Sequence, residues 1–196
     1  MSESFDPTGD PRYFRVPQRG HLAPLAEWFL SRHVKNDSPR YRHSTAVGQR
    51  MRELLIDKGE RSPAVLDTFE TMGILHDVGY GFQQSGVPSL DGAMLLEDDA
   101  RWRWLAPHLA WQASASYEYE ERGWTVHYSK PSPFDHATLW VAEMTVTPDG
   151  KRASAQERFD ALMASPNRFQ RNATLGSMGQ LNQALALHGE APVSIP

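Results

Sequence analysis

The chain contains no cysteine. Disulfides and thiolate metal sites are thereby excluded, and a cytoplasmic setting is the expectation. No stretch approaches the ~18 consecutive apolar residues that a membrane helix needs, so no membrane partner is expected. The start, MSESFDPTGDPRYF, has neither a basic n-region nor an apolar h-region and does not read as a secretory signal. Positive charge is also short: 20 Lys and Arg stand against 24 Asp and Glu, for a net charge of -4 at pH 7. That balance gives no general attraction to anionic membranes or to a nucleic-acid duplex. No internal repeat is visible.

What is present fits one soluble domain of 196 residues with a single buried core; hydrophobic residues make up 40% and charged residues 22%. The periodicity of the apolar positions is helical nearly throughout, so an all-α bundle is expected. Residues 1–18 carry prolines and little periodicity and read as an extended arm. Residues 19–165 form the main domain, and residues 166–196 read as a C-terminal helical extension.

Ser-Pro steps punctuate the chain. Ser38-Pro39, Ser62-Pro63 and Ser132-Pro133 each offer an N-cap followed by proline at the first helical position. Ser154 and Glu157 form the pattern of a capping box. The first of these helices should end at Lys58-Gly59, a basic last turn followed by glycine. Gly79 looks like the stop of the next one. Arg101–Ser116, rich in tryptophan, reads as a further helix, and Gly123–Ser129 as a brief extended piece. Pro148-Asp149-Gly150 reads as a turn.

Chemistry concentrates in three places. In TFETMGILHDVGYG (Thr68–Gly81), His76 falls on the apolar stripe formed by Leu66, Phe69 and Met72. Asp77 follows in the last helical turn, where the helix dipole disfavours negative charge and a cation would relieve it. Taken alone, the pair reads as well as a core histidine beside a capping aspartate. His43 sits one turn before Val47 on the apolar stripe of the preceding helix, so it too points inward. Glu143 is the only acid in the middle of a nearly all-apolar helix. A buried carboxylate must pair, protonate or bind metal. His136, two turns earlier on the same face, is placed to steady it.

The order His43, His76-Asp77, Glu143 resembles the HD-domain superfamily of metal-dependent phosphohydrolases. That family sets a histidine, a His-Asp pair and a distant aspartate around one metal centre. The similarity runs roughly from Leu22 to Met163 and rests on HDVGY (His76–Tyr80) and AEMTVTPDG (Ala142–Gly150). These segments resemble the HDIGY-like and ADxTxGPDG-like motifs of small bacterial HD proteins. The resemblance implies an HD-type helical bundle. It implies one divalent ion (Mn, Fe, Co, Ni, Zn or Mg) held by His43, His76, Asp77 and Glu143, with Asp77 also catalytic. It implies hydrolysis of a small phosphorylated substrate such as a nucleotide. Arg40 and Arg42, just before the first ligand, are candidates for holding the substrate phosphate, or equally for a solvated helix start. The alternative is a degenerate HD module that binds a nucleotide or a protein partner without turnover. A homodimer is compatible with either.

The chain departs from the family pattern in two ways. Glu143 stands where the family has aspartate. In addition, Pro88–Ala93 (PSLDGA) and Ala110–Ala115 (AWQASA) lack the histidines of the related HPLDGA and AHHSGA segments. Those histidines build a second metal site, for which His108 is an imperfect substitute. A single ion is therefore the expectation.

Overall fold

The structure is a computed structural model and describes residues 22–195. The expected N-terminal arm, residues 1–18, lies outside the described residues. Ten α-helices and two short 3-10 turns make up the regular structure, and no strand occurs among the described residues. In chain order the helices are α1 (Leu22–His33), α2 (Pro39–Asp57), α3 (Pro63–Leu75), α4 (Pro88–Glu97), α5 (Ala106–Ala110), α6 (Ala115–Arg122), α7 (Pro133–Met144), α8 (Ala155–Met163), α9 (Arg168–Gly176) and α10 (Met178–His188). The 3-10 turns are Val78–Gly81 and Arg103–Leu105.

The helix starts follow local chemistry. Ser38 accepts a hydrogen bond from the Tyr41 amide, Ser132 from the Asp135 amide, and Ser154 joins Glu157 in a complete capping box. Each satisfies amides that the first turn leaves without intrahelical partners. Ser62 makes no such side-chain bond, and α3 starts on its proline alone. The N-terminus of α1 is capped from a distance: Asp67 on α3 accepts from the amides of Leu22 and Ala23, at 2.6 and 3.2 Å.

The pair α2–α3 is the spine of the bundle. α1 lies on α3, α7 crosses α2, and α10 lies on α7. Val47, Met51, Leu54, Phe69, Met72, Leu75 and Val141 fill the space between them and are almost wholly buried. The spine is tight because two glycines face each other. A Cβ added to Gly73 would stand 2.6 Å from the Gly48 Cα. This close approach brings together the two helices that carry His43 and His76.

Three local expectations are corrected. Gly79 does not end α3 as a left-handed cap; the helix runs into the Val78–Gly81 turn. Gly79 is glycine because a Cβ there would come within 2.0 Å of the Pro88 carbonyl oxygen, at the start of α4. The tryptophan-rich stretch is no single helix. It divides into a 3-10 turn, α5 and α6, with Pro107 in the first turn of α5 and Ala113 at a positive φ of 46° between the two helices. Its tryptophans serve the core, Trp102 being fully buried. Residues 123–129 form no strand, since no neighbouring strand is there to pair with. The Trp111 indole instead donates to the Tyr128 carbonyl.

Candidate metal centre

His43 comes from the first turns of α2, and His76 directly follows α3 as its C-cap residue. Both imidazoles are buried, and their ring centroids lie 5.3 Å apart. Each is oriented by a backbone carbonyl. His43 Nδ1 is 2.9 Å from the Thr147 oxygen, and His76 Nδ1 is 2.7 Å from the Gly73 oxygen. A carbonyl can only accept, so both Nδ1 atoms carry a proton, and a neutral ring then presents its lone pair at Nε2. That is the tautomer a metal-binding imidazole needs, fixed by the usual device of a hydrogen bond at the other nitrogen.

The two Nε2 atoms face the same carboxylate oxygen. Asp77 Oδ2 lies 3.8 Å from His43 Nε2 and 3.4 Å from His76 Nε2. Three such donors within 4.8 Å of one another can hold a metal ion. For bonds of ~2.1 Å, the edge of a tetrahedral site is ~3.4 Å, and both contacts to Asp77 lie within tenths of an ångström of that edge. His76 Nε2 is buried without a hydrogen-bond partner. A buried acceptor of that kind costs stability unless a ligand completes it.

The electrostatics suit a cation. Burial, followed by the charge on His76, pushes the His43 pKa down to about 4, against the opposing pull of Asp77. His43 is thus neutral near pH 7, as a ligand must be. Burial by itself would raise the Asp77 pKa, but His76, Arg40 and His43 together hold it below its ordinary value. The aspartate is therefore a carboxylate.

Glu143 stands beside this group but is not one of its three converging residues. Its Oε2 is buried and has no hydrogen-bond partner. Burial raises its pKa and the Asp77 charge adds to that, while His76, Arg158 and Arg40 pull the other way. A cavity of about 50 Å³ touches Glu143 from the side of α9 and α10, between Met144, Gln170, Thr174 and Leu181. It has room for a few waters rather than for a substrate.

Of the remaining expected site residues, Arg40 joins the group, and Arg42, His136 and His108 lie apart from it. Arg40 Nη1 donates to Asp77 Oδ2 at 2.5 Å, and its guanidinium lies 3.7 Å from the Tyr80 ring centroid. Arg42 is exposed and donates to the Asp37 carbonyl, closing the turn before α2. His136 turns its Nε2 to the Ala113 carbonyl and stacks near Trp140, tying α7 to the α5–α6 link. His108 is buried beside Trp104, and neither ring nitrogen has a hydrogen-bond partner.

The sequence reading missed two participants. Thr147, in the turn after α7, orients His43 across 104 positions of sequence. Arg158, on α8, acts electrostatically on both His43 and Glu143. Only the PDG turn at Pro148–Gly150 hinted that the chain returns to the site there. No family model matches the chain, and neither a curated protein nor a solved structure matches it.

Proposed function

We propose that the chain is a metal-dependent phosphohydrolase of the HD type, acting on a small phosphate ester such as a nucleotide. The observation that carries this reading is the convergence of two buried imidazole Nε2 atoms and one ionised carboxylate oxygen on a single point. Two nitrogens and an oxygen suit a borderline divalent ion, and they leave positions on its sphere for water and substrate. Glu143 is assigned as the fourth ligand, because its buried Oε2 lacks a partner and its ionised form needs positive charge nearby. A divalent ion so held would supply Lewis acidity toward a phosphoryl oxygen and toward water. The chain's own residues do the rest. The Thr147 and Gly73 carbonyls fix the two imidazoles, and Arg40 holds Asp77 in place.

One observation favours a second reading. Arg40 already gives Asp77 Oδ2 a positive partner at 2.5 Å. In a module that binds without turnover, this ion pair stands in for the metal. Metal analysis of the purified protein separates the two, combined with a screen of phosphate esters and nucleotides against several divalent ions. The hydrolase holds about one ion per chain and turns over an ester. Asp77→Asn abolishes both, and Glu143→Gln lowers ion affinity by about 10–100-fold. A parent protein that takes up no ion and cleaves no ester overturns the hydrolase.

A further inference from the structure

Two arginines carry their charge to the buried Glu143, and they differ in one respect. Arg40 is engaged, bonded to Asp77 and stacked on Tyr80. The Arg158 side chain makes no hydrogen bond and no ion pair among the described residues, and its Nε is buried.

Its position follows from the chain path. After α7 the chain turns at Thr147–Gly150, and the Thr147 carbonyl is fastened to His43. Ser154 and Glu157 then close a capping box that fixes the first turn of α8. Arg158 is the next residue, on a helix that packs against α7, the carrier of Glu143. Arg158 thereby stands within electrostatic reach of His43 and Glu143.

A guanidinium holds a planar fork of donors, and a buried Nε–H without an acceptor is costly. The fold retains that cost beside a cluster suited to a cation. Glu143, itself without a hydrogen-bond partner, has not closed on Arg158 to relieve it. The two arginines proposed from the sequence have partners already, Arg42 on the Asp37 carbonyl and Arg40 on Asp77.

We infer that Arg158 is the phosphate-binding residue of this site, offering Nε–H and Nη–H to the non-bridging oxygens of a phosphoryl group held against the His43–His76–Asp77 group. The fork matches a phosphate bidentately, which a lysine ammonium does not. This assignment rests on the proposed phosphohydrolase reading and names the group that recognises the substrate's anion.

The test compares the parent with Arg158→Gln and Arg158→Lys, using inorganic phosphate as the probe in calorimetric titration. Metal content and melting temperature are measured on each protein. The parent binds phosphate, Gln weakens binding by about 10–100-fold, the size of a lost charge-assisted hydrogen bond, and Lys falls between them. Metal content stays equal in all three. In ester hydrolysis the Gln loss falls mainly on KM, because the contact is made to substrate and transition state alike. Equal phosphate affinity in the three proteins overturns the assignment, as does a parent that binds no phosphate. A Gln variant that loses its metal overturns it too, since Arg158 then supports the ion. Should the Gln variant fail to fold, Lys decides alone: it keeps the charge but loses the fork, and unchanged phosphate affinity refutes the inference. A parent that binds phosphate through Arg158 yet cleaves no ester retains this inference and sinks the hydrolase. Ester cleavage with KM unmoved by Arg158→Gln does the reverse.

Discussion

His43 and Arg50 lie two turns apart on α2, and both side chains are almost fully buried, at 2% and 6% exposure. Their surroundings are opposite. Around Arg50 the donors are used: Nε bonds Thr145 Oγ1 at 3.2 Å, Nη1 bonds Glu53 at 3.3 Å, and Nη2 bonds Glu190. The guanidinium joins α2, the end of α7 and the segment after α10. Around His43, polar atoms are left open: His76 Nε2, Glu143 Oε2 and Arg158 Nε are all buried without hydrogen-bond partners. A buried charge whose bonds are complete holds a fold together, whereas buried polar atoms without partners carry a cost that a ligand could remove.

Arg50→Ala tests the structural half and has the largest expected effect. Removing one partner of a buried ion network costs about 3–5 kcal/mol. The lower end applies here, because Glu53 is 54% exposed and Glu190 31% exposed. In a domain of this size about 3 kcal/mol lowers Tm by roughly 6–12 °C. Thermal melts should show that drop while metal content per folded chain stays at the parent's value. If Arg50→Ala melts with the parent, the network is ornament and the comparison loses its structural arm.

The second test addresses the open region. A divalent ion at 100 times its Kd stabilises the folded state by about 2.7 kcal/mol. His76→Leu should remove that whole increment. Without the ion the variant should stay within about 1 kcal/mol of the parent, because removing the unpaired buried Nε2 offsets the lost Nδ1–H bond to the Gly73 carbonyl. Melts with and without a chelator, on parent and variant, read both quantities. A chelated His76→Leu protein that falls as far as Arg50→Ala would make His76 a structural residue.

The two regions were unequally legible from sequence. Helix starts were read correctly because their chemistry is local: Ser38-Pro39, Ser132-Pro133 and the Ser154–Glu157 box lie within one turn of what they cap. The inward direction of His43 and His76 was equally local, set by spacing along an apolar stripe. The Thr147 carbonyl on His43 was hidden, since it is 104 positions away. The same distance hid Arg50, whose partner Glu190 lies 140 positions on. The role of Gly79 was misread for a related reason: what excludes a side chain there is α4, not its own helix. In the tryptophan stretch, helical spacing persisted through a break at Ala113, because burial on one face outlasts backbone regularity.

The smallest effect belongs to His108, which probes where the open region ends. It is 2% exposed, and like His76 it has an unpaired ring nitrogen; in fact both of its nitrogens are unpaired. Unlike His76, it belongs to no converging group of metal donors among the described residues. Burial, then the charge on His136, holds its pKa down at about 3. The unfolded chain, with a histidine pKa near ~6.5, takes up this proton before the folded chain does. Stability from keeping His108 neutral is thus complete above about pH 6.5 and is lost as pH falls from there toward 3. His108→Leu removes this proton from the balance. At pH 7 its stability should lie within about 1 kcal/mol of the parent. Between pH 6 and 4 the decline in stability should flatten by up to ~1.4 kcal/mol per pH unit, the share of one proton. His43 and His188, both held down at about 4, keep the residual slope from vanishing. Denaturant unfolding of both proteins across that pH range measures the difference. An unchanged slope would assign the acid lability to those other histidines. Altered metal content or phosphate affinity in His108→Leu would move the boundary: the open region would then reach α5, and an unpaired buried atom alone would mark a functional site without a converging partner.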